Sequence, residues 1–372
     1  MERGGVPAKG EAPIRTQTSR ARAQPEGANG ARARTAAPNP DRPWAGGRPR
    51  AAPSTRPDAP ATYSPPHPPA MCRFLLYQGP TIRLSSLITE PAHSLIHQSV
   101  HSKEREEPLN GDGFGLAWYA PRLESRPALF RSVTPAWNDA NLNELARVVE
   151  SPCVLAHVRA ATQVRSVNQA NCHPFTHGPY AFMHNGDVGG FHRLRRTLIS
   201  ELSDEAFAAI QGGTDSEHAF ALLLEHLPVS DATLDQMVAG MRSTIRRLLA
   251  LIERVTPGEP SYLNFALSNG STSVVTRFTT HPGYEGESLY LHRGRRYVCE
   301  EGMCRMIEPD EHGSAVIVSS ERLSEDPGWE SVPPNHLVML DGQGGAQLEP
   351  IFAQSAAAPA GSWGIAAPLR RG

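Results

Sequence analysis

Met71-Cys72-Arg73-Phe74-Leu75-Leu76-Tyr77 is the point at which the chain changes character. Upstream of it, residues 1–70 hold 14 of the 34 prolines, no Leu, Phe or Cys, and 11 Lys and Arg against 5 Asp and Glu. A segment with so few large apolar side chains cannot offset its ordering entropy by burial. Residues 1–70 are therefore expected to be a disordered Pro/Arg/Ala-rich extension. Downstream, the other 302 residues carry 25 basic and 33 acidic groups, so the near-neutral total of −2 is a sum of opposites. A length of 372 would suggest two domains at about 150 residues each, but the composition confines folding to one large domain, residues 71–355. The Ala/Pro/Gly-rich residues 356–372 are expected to be a flexible tail.

Several function classes fall away. No run of 18 or more apolar residues is present and the basic N-terminus lacks an apolar h-region, so neither a membrane span nor a secretory leader is expected. The acidic balance of the folded part gives no reason to expect nucleic acid as a partner. The five cysteines (Cys72, Cys153, Cys172, Cys299, Cys304) are odd in number and scattered, unlike a disulfide framework, and a reducing, cytoplasmic setting is expected. No Cys or His falls at zinc-ligand spacing around Cys172-His173 or Cys299 and Cys304, so no metal and no cofactor are expected.

Patterning points to α+β. Strands are expected over residues 114–119, 128–133, 153–162 and 180–184, and the near-continuous apolar run from Cys153 suits a strand covered on both faces. Thr214-Asp215-Ser216-Glu217 reads as a capping box, followed by Phe220, Leu223, Leu224 and Leu227 at helical spacing. A second stripe runs from Leu234 through Met237, Met241, Ile245 and Leu248 to Ile252. After Pro260, strands are expected over 263–267, 273–279, 288–292, 315–319 and 336–340. Strands, then helices, then strands, without regular alternation, indicate α+β layers rather than a doubly wound sheet.

Chemistry-bearing residues are dispersed along this pattern, each with a plain alternative. Cys72 reads either as a buried strand cysteine or, with Met71 removed, as a nucleophile whose own α-amine serves as base. Asn185-Gly186 reads either as a hairpin turn or as a side-chain amide and a backbone N–H that form an oxyanion hole. Arg159, late in an apolar strand, suits an internal ion pair or a substrate α-carboxylate. Asp215 suits the helix dipole or a substrate ammonium. Asn110-Gly111-Asp112-Gly113-Phe114-Gly115 reads as a tight turn that brings backbone close to a site.

In order and wording, the stretches Met71-Cys72-Arg73, Asn110 to Gly115, Ala156-His157-Val158-Arg159-Ala160-Ala161-Thr162, Asn171-Cys172-His173-Pro174-Phe175, Phe182-Met183-His184-Asn185-Gly186 and Thr214 to Glu217 resemble the class II glutamine amidotransferases, N-terminal-nucleophile hydrolases. Asp326-Pro327-Gly328-Trp329-Glu330 and Val332-Pro333-Pro334-Asn335-His336 resemble the stand-alone branch of that family, with its YafJ-like, Dug3-type and EgtC-like members. The resemblance implies a four-layer αββα sandwich and hydrolysis of a γ-glutamyl amide. It implies Cys72 as nucleophile, Asn185 and Gly186 as oxyanion hole, Arg159 on the α-carboxylate, Asp215 on the ammonium, and Thr162 and His173 lining the pocket. It departs from the synthase-type members at Asn110, Ala160 and Gln163, which stand where those enzymes tend to have Arg, Trp and His.

The expected partner is a small γ-glutamyl compound, with a peptidase or synthase subunit as a further one, since no ammonia-accepting domain follows Pro260. A catalytically silent subunit for a partner peptidase and an amidase acting on non-glutamyl amides are the alternative readings. A peptide bond on the Cys72 nitrogen would remove the base, so residues 1–70 are expected to be absent from the working enzyme, by initiation at Met71 or cleavage before Cys72.

Overall fold

A computed structural model describes residues 72–104, 109–160, 167–300, 303–308 and 314–353. Residues 1–70, Met71, Thr162 and the tail from 356 lie outside them. In chain order the strands are β1 (Arg73–Arg83), β2 (Phe114–Ala120), β3 (Glu124–Ser132), β4 (Glu150–Val158), β5 (Phe175–His177), β6 (Tyr180–Asp187), β7 (Tyr262–Ser268), β8 (Ser273–Arg277), β9 (Tyr290–Gly294), β10 (Arg296–Glu300), β11 (Met303–Ile307), β12 (Ala315–Ser319), β13 (Trp329–Ser331), β14 (His336–Leu340) and β15 (Ala346–Pro350). The helices are α1 (Ser85–Ile88), α2 (Leu95–Val100), α3 (Ala140–Val148), α4 (Phe191–Ile199), α5 (Asp204–Ala208), α6 (Asp215–Leu224) and α7 (Leu234–Val255). One sheet runs β13-β9-β12-β1-β4-β2-β3 and the other β15-β14-β8-β7-β6-β5, with β10 and β11 forming a separate hairpin.

Strand parity builds the layers. Successive side chains of a strand point to opposite faces. On β1, Phe74 and Leu76 enter a core shared with Met183, Ala266 and Val275 of the other sheet. Leu75 and Tyr77 point the other way, against Leu87, Leu95 and Leu142 of α1, α2 and α3. β4 divides likewise, Cys153 and Leu155 inward and Val154 and Ala156 outward. The second sheet turns Phe182, Leu263, Phe265 and Leu267 onto Leu194, Phe220, Leu223, Met237, Met241 and Leu248 of α4, α6 and α7. The order is helices, sheet, sheet, helices, the αββα sandwich the resemblance implies. Both inner strands are covered on both faces, which is why their sequences are almost continuously apolar; each buried Leu or Phe contributes roughly 1.5–3 kcal/mol.

Local structure departs from the sequence reading at four places. β6 does not turn at Asn185-Gly186 but continues to Asp187, with Asn185 opposite Asn264 and Gly186 opposite Leu263 on β7. Thr214 caps α6 by accepting from the Glu217 N–H at 3.2 Å, but the box is not reciprocal, because the Glu217 carboxylate accepts instead from the N–H groups of Gln211 and Gly212. A full capping box stands at Thr233 and Gln236, at the start of α7. Cys299 and Cys304, directly opposed on β10 and β11, are joined by a disulfide, while Cys72, Cys153 and Cys172 are free. Among the described residues no helix is long and apolar enough to cross a membrane.

Candidate active site

One end of the space between the sheets collects the reactive side chains, and parity explains how. Cys72 directly precedes β1, two positions before the inward-facing Phe74. The antiparallel register Arg73 to Val158 brings it beside Arg159, which is two positions beyond His157 on β4. On β6 the inward set is Ala181, Met183, Asn185 and Asp187. On β12, Val316 and Val318 face inward, and Ser320 follows two positions on. Asn185 Nδ2 lies 3.5 Å from the Ser320 hydroxyl, and that hydroxyl accepts from the Phe74 N–H at 3.1 Å. The first sheet's β1 and the second sheet's Asn185 amide are thereby linked through one side chain.

Gly186 follows on β6 with φ 149°, and a Cβ there would stand 1.8 Å from the Tyr262 carbonyl oxygen, so only glycine fits. The Asn110–Gly115 loop approaches as the sequence suggests. The Asp112 N–H donates to the Arg159 carbonyl at 3.1 Å, and the Arg159 N–H to the Gly113 carbonyl at 2.8 Å. A Cβ on Gly113 would meet the Cys172 sulfur at 2.7 Å.

Asp215 begins α6, and its Oδ2 accepts from the Val188 N–H at 2.9 Å, tying the helix start to the end of β6. Behind it lie three buried imidazoles. His184 Nδ1 meets the Ser216 hydroxyl at 2.9 Å, His157 Nε2 lies 3.1 Å from the His184 carbonyl, and His173 stacks on His157 with ring centroids 4.1 Å apart. Burial lowers all three pKa values, His157 to about 3, so these rings are neutral at pH 7. Both nitrogens of His173 lack a partner among the described residues.

The Cys72 thiol lies 3.7 Å from the Ala160 carbonyl. Burial raises its pKa to about 11, more than the Ala160 bond and the Arg159 and Arg73 charges lower it, and Asp215 adds to the rise. Such a thiol is protonated at neutral pH and needs a base. Asp187, next to Gly186, is raised to about 7, first by burial and then by Asp215 and Glu259.

Cys72, Arg159, His173, Asn185, Gly186 and Asp215 are thus assembled around one region; Thr162 lies outside the described residues. The sequence reading missed Asp187, Ser320 and a buried network on Glu321. Glu321 accepts from Arg73 Nε and the Ser102 hydroxyl, each at 2.6 Å, and from the Lys103 N–H at 2.9 Å, and meets His93 Nε2 at 2.6 Å. Burial pushes its carboxyl up, but these partners together hold it down at about 2. Arg73 Nη1 donates in turn to the Cys72 carbonyl at 2.9 Å. The available signal was Arg73 itself, a charge opening a buried strand, and Ser320-Glu321 directly after an apolar one. Among the described residues no group of His, Cys, Asp and Glu is arranged to hold a metal ion.

Known proteins share this chain's family and fold. The family model for class II glutamine amidotransferases matches residues 87–360. A probable glutamine amidotransferase of Saccharomyces cerevisiae, DUG3, is 39% identical over 302 residues, spanning 73% of this chain and 82% of the yeast protein. The gamma-glutamyl-hercynylcysteine sulfoxide hydrolase of Mycobacterium tuberculosis is 27% identical over 276 residues, 74% of this chain and 94% of its own. A solved glutamine aminotransferase class-II domain protein from Silicibacter pomeroyi superposes with a TM-score of 0.52 at 28% identity, over 76% of this chain and all of that one.

Proposed function

The chain belongs to the class II glutamine amidotransferases, and from that membership we propose that it hydrolyses the amide bond of a γ-glutamyl compound through a thioester on Cys72. The observation that carries the reading is the meeting of Cys72, Arg159, Asn185, Gly186 and Asp215 at one end of the inter-sheet space. Arg159 offers a fork of donors to the substrate α-carboxylate, and Asp215 an acceptor to its ammonium. His173, neutral and without a partner among the described residues, lines the pocket; Thr162 keeps the lining role that the resemblance gives it.

The working form carries a free α-amine on Cys72, produced by initiation at Met71 and removal of that methionine or by cleavage before Cys72. This amine, with an ordinary pKa of about 7.7–8.0, takes the thiol proton that burial otherwise retains. The thiolate attacks the γ-carbonyl carbon, and the oxyanion accepts from Asn185 Nδ2 and the Gly186 N–H. Removing one such donor typically costs about 10²–10³ in kcat. The intermediate collapses, the C–N bond breaks, and the leaving amine takes its proton from the α-ammonium. Water, deprotonated by the same amine, cleaves the thioester to release the γ-carboxylate and restore the thiol.

Among the described residues, every strand after Pro260 joins one of the two sheets or the hairpin. Release to water, or to a separate peptidase or synthase subunit, fits better than transfer within the chain. The test is acid-quenched intact-mass measurement during turnover of L-glutamine and other γ-glutamyl amides. A γ-glutamyl adduct on Cys72 is expected in the form that begins at Cys72, and none in Cys72→Ala. Full activity of Cys72→Ala, or of the chain with residues 1–71 still attached, would falsify the mechanism.

A further inference from the structure

The carboxamide of Asn185 has two settings that differ by a half-turn, and Ser320 distinguishes them. Asn185 is 1% exposed. With Nδ2 set 3.5 Å from Ser320 Oγ, Asn185 Oδ1 has no partner among the described residues. Ser320 Oγ accepts in the same setting from the Phe74 N–H at 3.1 Å and from Nδ2. A hydroxyl has one proton to donate and two lone pairs. Here both lone pairs face donors, and the proton meets no acceptor among the described residues. An unspent donor and an unmet acceptor therefore sit side by side in a buried place, where each is costly.

The half-turn satisfies both. The oxygen comes against Ser320, whose O–H donates to it while Oγ still accepts from Phe74. The NH₂ moves into the position that had no partner, which is where a donor awaiting an oxyanion must stand. Ser320 cannot easily follow the amide the other way. Its N–H donates to the Phe74 carbonyl at 3.0 Å, and its carbonyl accepts from the Ser288 hydroxyl at 2.9 Å.

We infer that the Ser320 hydroxyl is a positioning group for the reaction, selecting the orientation of the Asn185 amide in which the oxyanion hole is complete. The inference rests on the hydrolytic reading above and deepens it, since Ser320 acts only through Asn185. Its effect belongs to the transition state, where the oxyanion exists, and not to substrate capture by Arg159 and Asp215.

The test is a double-mutant cycle in protein beginning at Cys72, assayed on the best substrate among a panel of γ-glutamyl amides that includes L-glutamine. Asn185→Ala is expected to lower kcat about 10²–10³-fold. Ser320→Ala is expected to lower kcat about ten- to a hundredfold, with KM within about twofold. The double variant is expected to match Asn185→Ala within about twofold, because no amide remains to orient, and Ser320→Thr, which keeps the hydroxyl, to recover activity. Should Ser320→Ala fail to fold, Ser320→Cys, close in size and a weak donor, takes its place in the cycle. A Ser320 variant lacking the hydroxyl with wild-type kcat, or losses that multiply in the double variant, overturns the inference while the hydrolytic reading stands. A wild type inactive on every γ-glutamyl amide overturns both.

Discussion

Burial sets the protonation states at the scale of single residues. Burial raises the Cys72 thiol, lowers the imidazoles behind it and lifts Asp187 to about 7. An aspartate at about 7 when folded, against an ordinary 3.8, binds a proton more tightly in the native state. Its contribution is fully present below pH 3.8 and is lost as pH rises to 7. Asp187→Asn is therefore expected to stabilise the protein at pH 8 by up to about 4 kcal/mol, and little or not at all below pH 4. Urea midpoints of both proteins across that range check it, and equal shifts at both ends would count against the assignment. Arg159, whose fork would hold a carboxylate in ground and transition states alike, predicts a different signature. Arg159→Ala should raise KM roughly a hundredfold and leave kcat changed less than tenfold, as steady-state kinetics would show. Residue chemistry was the most legible part of the sequence, since a cysteine, a lone arginine in an apolar run and an Asn-Gly pair each announce a short set of roles. Which role each takes was not legible, because that depends on what faces it from another strand.

Elements place these groups, and capping separates structural from functional helices. α6 starts at Asp215, with Thr214 as its cap, while α7 starts beyond Thr233 and packs its stripe on the second sheet, away from the site. Loss of either cap costs about 1 kcal/mol. Thr214→Ala should also raise KM, because fraying the first turn moves Asp215; Thr233→Ala should leave kcat and KM unchanged. Denaturation curves paired with kinetics test the contrast, and equal kinetics in the two variants would remove Asp215 from the site. The continuous strand at Asn185-Gly186 rules out the turn, one of the two readings the pair allowed. Local propensity favours a hairpin at Asn-Gly, but β7 supplies seven residues of pairing from Ala181 to Asp187. A glycine is required there for its close approach to Tyr262, not for a turn.

The described residues of the sandwich pack in three apolar layers, and the middle one lies nearest the site. Phe74, fully buried between the sheets, lies two residues from Cys72, and its N–H and carbonyl both bond Ser320. Phe74→Ala should cost about 3–5 kcal/mol, read from urea unfolding, and should lower kcat as well. The same loss in a helix-side residue such as Leu248 should spare kcat. By itself the sequence determined the α+β class and the family, and supplied the candidate reactive residues, because apolar periodicity and short polar motifs are local properties of the chain. The pairing of Cys299 with Cys304, the continuation of β6, the contacts of Ser320, Glu321 and Asp187, and the convergence of Cys72 with Asn185 were decided only in the tertiary structure. Each depends on antiparallel register or on two sheets packing face to face, from the five positions between Cys299 and Cys304 to the more than one hundred between Cys72 and Asn185, and leaves no mark on the intervening sequence.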